Sequence, residues 1–153
     1  MKKNDLFSEY LQRKNESELV KQALTDKSYK KVANKDIPVN TDLATYGDAV
    51  IKLAYCEILL GKRNKLTEVK SQYESDEFLV TKVARHYNLL KYIDKDDDNN
   101  RPNDYEYEKH QSKNRNKCKY IATAVEAMIC AIYKENNYDL KPIVELLDNW
   151  MKF

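Results

Sequence analysis

The stretch "DLATYGDAVIKLAYCEILL", residues 42–60, decides how the chain is read. Its apolar residues recur at helical spacing and cover more than one face, which predicts a helix buried on two sides. Asn40 or Thr41 is placed to cap its start, and Gly61 to end it just past Leu60. Gly47, one of two glycines in the chain, stands mid-helix beside Asp48. A glycine there costs about 1 kcal/mol relative to alanine. Close approach by another backbone, where a Cβ would intrude, offsets that cost.

Outward from this segment the pattern stays helical. Residues 5–13 pair Leu6 with Tyr10 and Phe7 with Leu11 at i,i+4. A second helix follows a cap at Asn15 or Ser17 and carries Leu19, Val20, Ala23 and Leu24 on one stripe. Residues 30–41, "KKVANKDIPVNT", read as a connector, because Pro38 opposes helix at Ile37. Residues 62–75 give a basic turn and another helix. Ser75 then caps a helix striped by Phe78, Leu79, Val83, Tyr87 and Leu90. Residues 94–116 are polar and read as a long loop. An apolar helix returns near Lys119 and runs to Lys134, and Pro142 marks the first turn of the last one. Trp150 reads as a core or interface anchor. The expectation is a single all-α domain over residues 1–153, with about seven helices and no strand.

Composition narrows the classes. The chain has 153 residues, enough to bury a core without disulfides. Cys56, Cys118 and Cys130 lack the spacing of a zinc site, and an odd count suits a reducing compartment. No stretch has the length of a membrane span or of a signal-peptide core, so a cytoplasmic protein without membrane partners is expected. Net charge is only +2, but it is unevenly spread: residues 94–108 hold seven acids against two bases, and residues 109–119 hold five Lys/Arg and no acid. The basic run can contact phosphates. Asp94, Asp96 and Asp98 mimic the start of a calcium loop, but Asn99 and Tyr105 stand where its glycine and bidentate glutamate belong. His86 and His110 form no triad or zinc motif.

Two carboxylates remain. Asp48 and Glu126, the latter inside "YIATAVEAMICAIY" at residues 120–133, are surrounded by apolar neighbours. A buried unpaired carboxylate costs several kcal/mol. Each residue either points outward, pairs with Lys or Arg, or meets a cation. If their helices face each other, the two could share Mg²⁺, which keeps several waters and needs few protein carboxylates.

Four segments in register resemble the ribonuclease III family. Residues 42–60 resemble its signature helix, of the type LEFLGDAVL. Residues 120–133 resemble its second acidic helix, of the type ADAFEALIGAIY. "ELVKQALTDKSY", residues 18–29, is similar to its QALTHRSY segment, and residues 66–93 are similar to its LTxLRSxLVSNExLA segment. The likeness runs from Glu18 to Tyr133. Matched position by position, the family's GDA aspartate falls on Asp48 and its FEA glutamate on Glu126. Two further principal acids fall on Ala44 and Thr123, and an accessory acid on Thr41. The short Mini-III branch shares the Ala and Thr replacements. The segment at residues 22–29 looks more like full-length ribonuclease III.

The resemblance implies a ribonuclease III-like endonuclease fold without a separate double-stranded-RNA-binding domain. It implies a homodimer whose signature helices pair, with Gly47 as a dimer contact. It implies Asp48 and Glu126 as catalytic metal ligands for Mg²⁺, with Mn²⁺ as a substitute. Lys62, Arg63, Lys65, Lys113, Arg115 and Lys117 are then the expected contacts to double-stranded RNA, such as a ribosomal RNA precursor. The alternative it leaves open is a catalytically inactive, RNA-binding or ribosome-associated protein of the same fold.

Overall fold

A computed structural model describes residues 4–60, 66–97, 101–107 and 117–153. Its helices are α1 (Leu6–Gln12), α2 (Glu18–Ala23), α3 (Tyr29–Ala33), α4 (Thr41–Leu59), α5 (Leu66–Glu74), α6 (Asp76–Phe78), α7 (Arg85–Tyr87), α8 (Lys119–Glu135) and α9 (Lys141–Trp150). A π-helical stretch, Leu79–Ala84, joins α6 to α7, so residues 76–87 form one continuous rod. A short 3-10 turn, Leu89–Lys91, follows it. The described residues contain no named strand, only an isolated bridge between Thr25 and Asp94. The all-α expectation therefore holds.

Local chemistry explains the boundaries. Asp5 accepts from the Ser8 amide at 3.0 Å to start α1, Ser17 from Val20 at 3.2 Å to start α2, and Ser75 from Phe78 at 3.2 Å to start α6. Of the two caps considered for α2, Ser17 is the one used. Asn40 precedes α4 but does not cap it; its amide donates instead to Ala23 O at 3.1 Å. The connector over residues 30–41 needs correction, because its first residues complete α3. Asp26 seeds that turn by accepting from the Ser28 amide at 3.0 Å, and Asn34 ends it in the left-handed region, φ 52°. Asn137 and Tyr138, at φ 56° and 60°, end α8 in the same way.

Helices α4 and α8 form the most extensive contact between elements. Around them α1, α2, α5, α9 and the 76–87 rod complete one core. Trp150 is fully buried, as the anchor reading required. Its Nε1 donates to Tyr87 Oη at 2.8 Å, and Phe7 meets it edge-on at 5.5 Å. Cys130 and Cys118 are buried and Cys56 is half-buried; none of the three forms a disulfide. The described part of the polar loop is tied down: Arg101 Nε donates to Asp26 at 2.9 Å, and Tyr105 Oη accepts from the Leu90 amide at 3.0 Å. Asp94 pairs with Lys14 at 3.0 Å, a structural use of the acid that opened the apparent calcium loop.

Gly47 fixes how closely α4 and α8 approach. A Cβ placed on it would lie 1.7 Å from Glu126 O and 2.6 Å from Glu126 C. The backbone that needs a glycine here is therefore α8 of the same chain, and Gly47 is buried by it. This corrects the reading of Gly47 as a dimer contact. Gly47→Ala should cost about 3 kcal/mol or more of stability, because backbone must move to admit the methyl. Urea unfolding measures this, and an unchanged midpoint would contradict the packing described.

Candidate metal centre

The α4–α8 contact brings Asp48 and Glu126 together. Asp48 follows Gly47 on α4, and Glu126 is the residue whose carbonyl Gly47 touches. The two side chains share a hydrogen bond. Glu126 is largely buried, and its carboxyl is pushed from an ordinary 4.5 up to about 8. Burial is the largest cause, followed by the hydrogen bond and negative charge of Asp48, then the charge of Asp76. At neutral pH the Glu126 carboxyl thus donates its proton toward Asp48.

Asp48 is less enclosed than the sequence suggested. Its side chain is 35% exposed, and Lys52, one turn on, donates to its Oδ2 at 2.9 Å. Pairing with a lysine was one of the readings open for it. The contact holds the Lys52 ammonium above its usual range, with Glu74 and Glu126 adding to the effect. Sequence reasoning did not single out Lys52, although an i,i+4 Asp–Lys pair is visible in the sequence itself.

Two more charges reach the centre through tertiary packing. Asp76, the first residue of α6, has its carboxyl raised by burial and by Asp48, with Lys119 opposing. Lys119, at the start of α8, acts in the same lowering sense on Glu126. Lys119, Thr123 and Glu126 are spaced i, i+4 and i+7, so they share a face. No spacing rule links Asp76 to Asp48, which is why the sequence left it unnoticed.

The three positions where the resemblance expects acids carry none. Ala44 is buried within α4. Thr123 Oγ1 donates to Lys119 O at 3.1 Å, which occupies the hydroxyl with its own helix. Thr41 is exposed and lines a cavity shared with Thr123 and Lys119. Among the described residues no three His, Cys, Asp or Glu side chains converge as a metal cage. The centre therefore offers two carboxylates in contact, with Asp76 further out. Of the expected RNA contacts, Lys117 is exposed just before α8. Lys62, Arg63, Lys65, Lys113, Arg115 and also His110 lie outside the described residues. His86 stacks on Phe153 at 4.0 Å, away from this centre.

A pair of hard oxygen donors, one holding its proton chiefly because it is buried beside a second carboxylate, fits a divalent cation. The fold and site thus define a helical domain with a two-carboxylate centre on its principal helix pair. The ribonuclease III domain model matches residues 41–137, more than half of the chain and the whole of that pair. The chain belongs to the ribonuclease III family, the double-stranded-RNA endoribonucleases, which generally use a divalent metal.

The Glu126 shift has a sign that can be measured. Below pH 4.5 the carboxyl is neutral in folded and unfolded chains alike, and contributes no penalty. Between 4.5 and 8 the unfolded chain loses the proton while the folded chain keeps it, so metal-free stability falls as pH rises. Glu126→Gln should therefore raise the metal-free melting temperature at pH 8.5, with the gain vanishing below pH 4.5. Thermal melts in EDTA across that range decide it; a gain that does not depend on pH would contradict the assignment.

Proposed function

We propose that the chain is a Mg²⁺-dependent endoribonuclease that cuts structured double-stranded RNA, ribosomal RNA precursors among its substrates, in the cytoplasm. The observation that carries this reading is the Asp48–Glu126 contact, two carboxylates held together at an energetic cost that a bound cation would relieve. These two residues would hold the ion. When bound, it would stabilise charge on the phosphate and make its water more acidic, and Mn²⁺ could take its place.

The protein's own groups have defined tasks. Glu126 must give up its proton for the centre to load, which its carboxyl does more readily as pH rises toward 8. Lys52 must release or share Asp48. Gly47 keeps the α4 backbone against Glu126, so the two oxygens stay within reach of one ligand. Lys117 and the basic run it belongs to supply phosphate contacts, and A-form RNA is read mainly through its backbone and 2′-hydroxyls.

We further propose a homodimer formed through α4. Tyr46 and Leu53 are 41% and 50% exposed, unusual for large apolar side chains on the helix that carries the site. With Ala49, Val50, Tyr133 and Leu140 they line an apolar depression of about 220 Å³. Pairing across this face places two centres on one assembly, one for each strand of a duplex. The depression lies one turn from Gly47, so the dimer reading survives although Gly47 itself faces α8.

The competing reading, a duplex-binding protein that does not cut, draws on the neutralisation of Asp48 by Lys52 and on the replaced acids. Incubation with duplex RNA and Mg²⁺ separates the two. Asp48→Asn and Glu126→Gln should each lower cleavage about 100-fold or more, by loss of a ligand, while duplex binding in Ca²⁺ stays within a few-fold. Wild-type binding without cleavage favours the competing reading. Leu53→Glu should shift the sedimentation coefficient to that of a monomer while leaving the circular dichroism spectrum intact; a persistent dimer rules out this face.

A further inference from the structure

The N-terminal turns of α4 and α8 meet at a cavity of about 330 Å³. It lies beside the acid pair, sharing Thr123 and Lys119 with the face of α8 that carries Glu126. Its walls bear three cations, Lys27, Arg101 and Lys119, and one acid, Asp26. Asp26 is 2% exposed and already engaged, accepting from Arg101 Nε at 2.9 Å and from the Ser28 amide at 3.0 Å. Neither Lys27 nor Lys119 forms an ion pair with a described residue, and both are exposed toward solvent. Among the lining residues the cations therefore outnumber the acids, with Lys119 also acting at longer range on Asp76 and Glu126.

We propose that this cavity binds a phosphate group of the RNA backbone, next to the phosphate that is cut. Thr41 and Thr123 both line it, at two of the three positions where the resemblance expects acids. A carboxylate at either would repel an anion; a hydroxyl does not. Among the described residues neither helix start has a side-chain cap, which leaves amides of both first turns available to an anion, and the buried Asn40 also lines the cavity. Arg101 is held by Asp26 and stacks near Tyr120 at 5.6 Å, so its charge is fixed in the wall. Thr41 precedes Asp48 by seven residues, about 10 Å along the helix. That separation is within reach of neighbouring phosphates on one strand.

This assignment rests on the duplex-RNA reading above but is tested apart from it. In EDTA, where no cleavage occurs, duplex RNA binding is measured by fluorescence anisotropy against salt concentration. Lys27→Gln should weaken binding several-fold and reduce the salt slope by about 1, as removal of one phosphate contact does. Lys27→Gln with Lys119→Gln should reduce it by about 2. The exposed Lys27 can be replaced without disturbing the core, and the Mg²⁺-induced thermal shift of Lys27→Gln should match wild type. Inorganic phosphate, titrated into the same protein, should shift the amide resonances of Thr41, Asp42 and Tyr120. Unchanged duplex affinity and slope in both variants overturns the proposal, whether or not the protein cleaves RNA. Phosphate-induced shifts with duplex affinity unchanged overturn the RNA assignment in favour of a free-phosphate site. Should the protein fail to cut duplex yet lose affinity through Lys27→Gln, the cavity stands and the nuclease reading falls.

Discussion

The contact between the Gly47 backbone and the Glu126 carbonyl sets the geometry of everything chemical in this molecule. It admits no Cβ, so α4 and α8 sit closer than side-chain packing would normally allow. Asp48 follows that glycine, and Glu126 belongs to the peptide it touches. The acid pair is therefore a consequence of backbone packing rather than of flexible side chains finding each other. Pre-organisation of this kind costs stability before a ligand arrives, because two carboxylates are forced to share one proton.

The helices, the cores of α4 and α8 and the two acids were legible in the sequence because period and residue type are local signals. Ser75 reads as a cap and acts as one, and of Asn15 and Ser17 the structure uses Ser17. Other features were not legible. The short α3 was read as connector, since a turn seeded by the Asp26 side chain looks like polar linker from sequence. Gly47 announced that some backbone came near, but spacing could not say whose. Asp76 and Lys119 joined the centre only once the 76–87 rod and the start of α8 packed against α4, and nothing local encodes that. Asn40 looked like a cap and instead fastens α2 to α4 through Ala23 O.

The charge balance around the acid pair separates this chain from a centre built on four acids. Two carboxylates in contact meet Lys52 at hydrogen-bonding distance and Lys119 at longer range, with Asp76 as a partial counterweight. Ala44, Thr123 and Thr41, where the resemblance expects acids, do not form an inert gap. One side of the centre is acidic and the adjoining cavity basic. An asymmetric arrangement of that kind can hold a cation on one side and an anion on the other, which is what a metal-bound phosphodiester presents.

On the proposed reading, the same balance favours one divalent cation per site over two. Loading one ion neutralises the pair once Glu126 has lost its proton. A second ion would then face the charges of Lys52 and Lys119, with Asp76, already opposed by Lys119, as the carboxylate further out. Like charges a few ångströms apart in a partly buried site repel by several kcal/mol, more than water ligands alone would offset. A fixed ammonium cannot polarise a water as a metal does, but it can sit against a phosphate oxygen without being recruited from solution. On this view the lysines supply part of the positive charge at the centre, and they bring it as part of the fold.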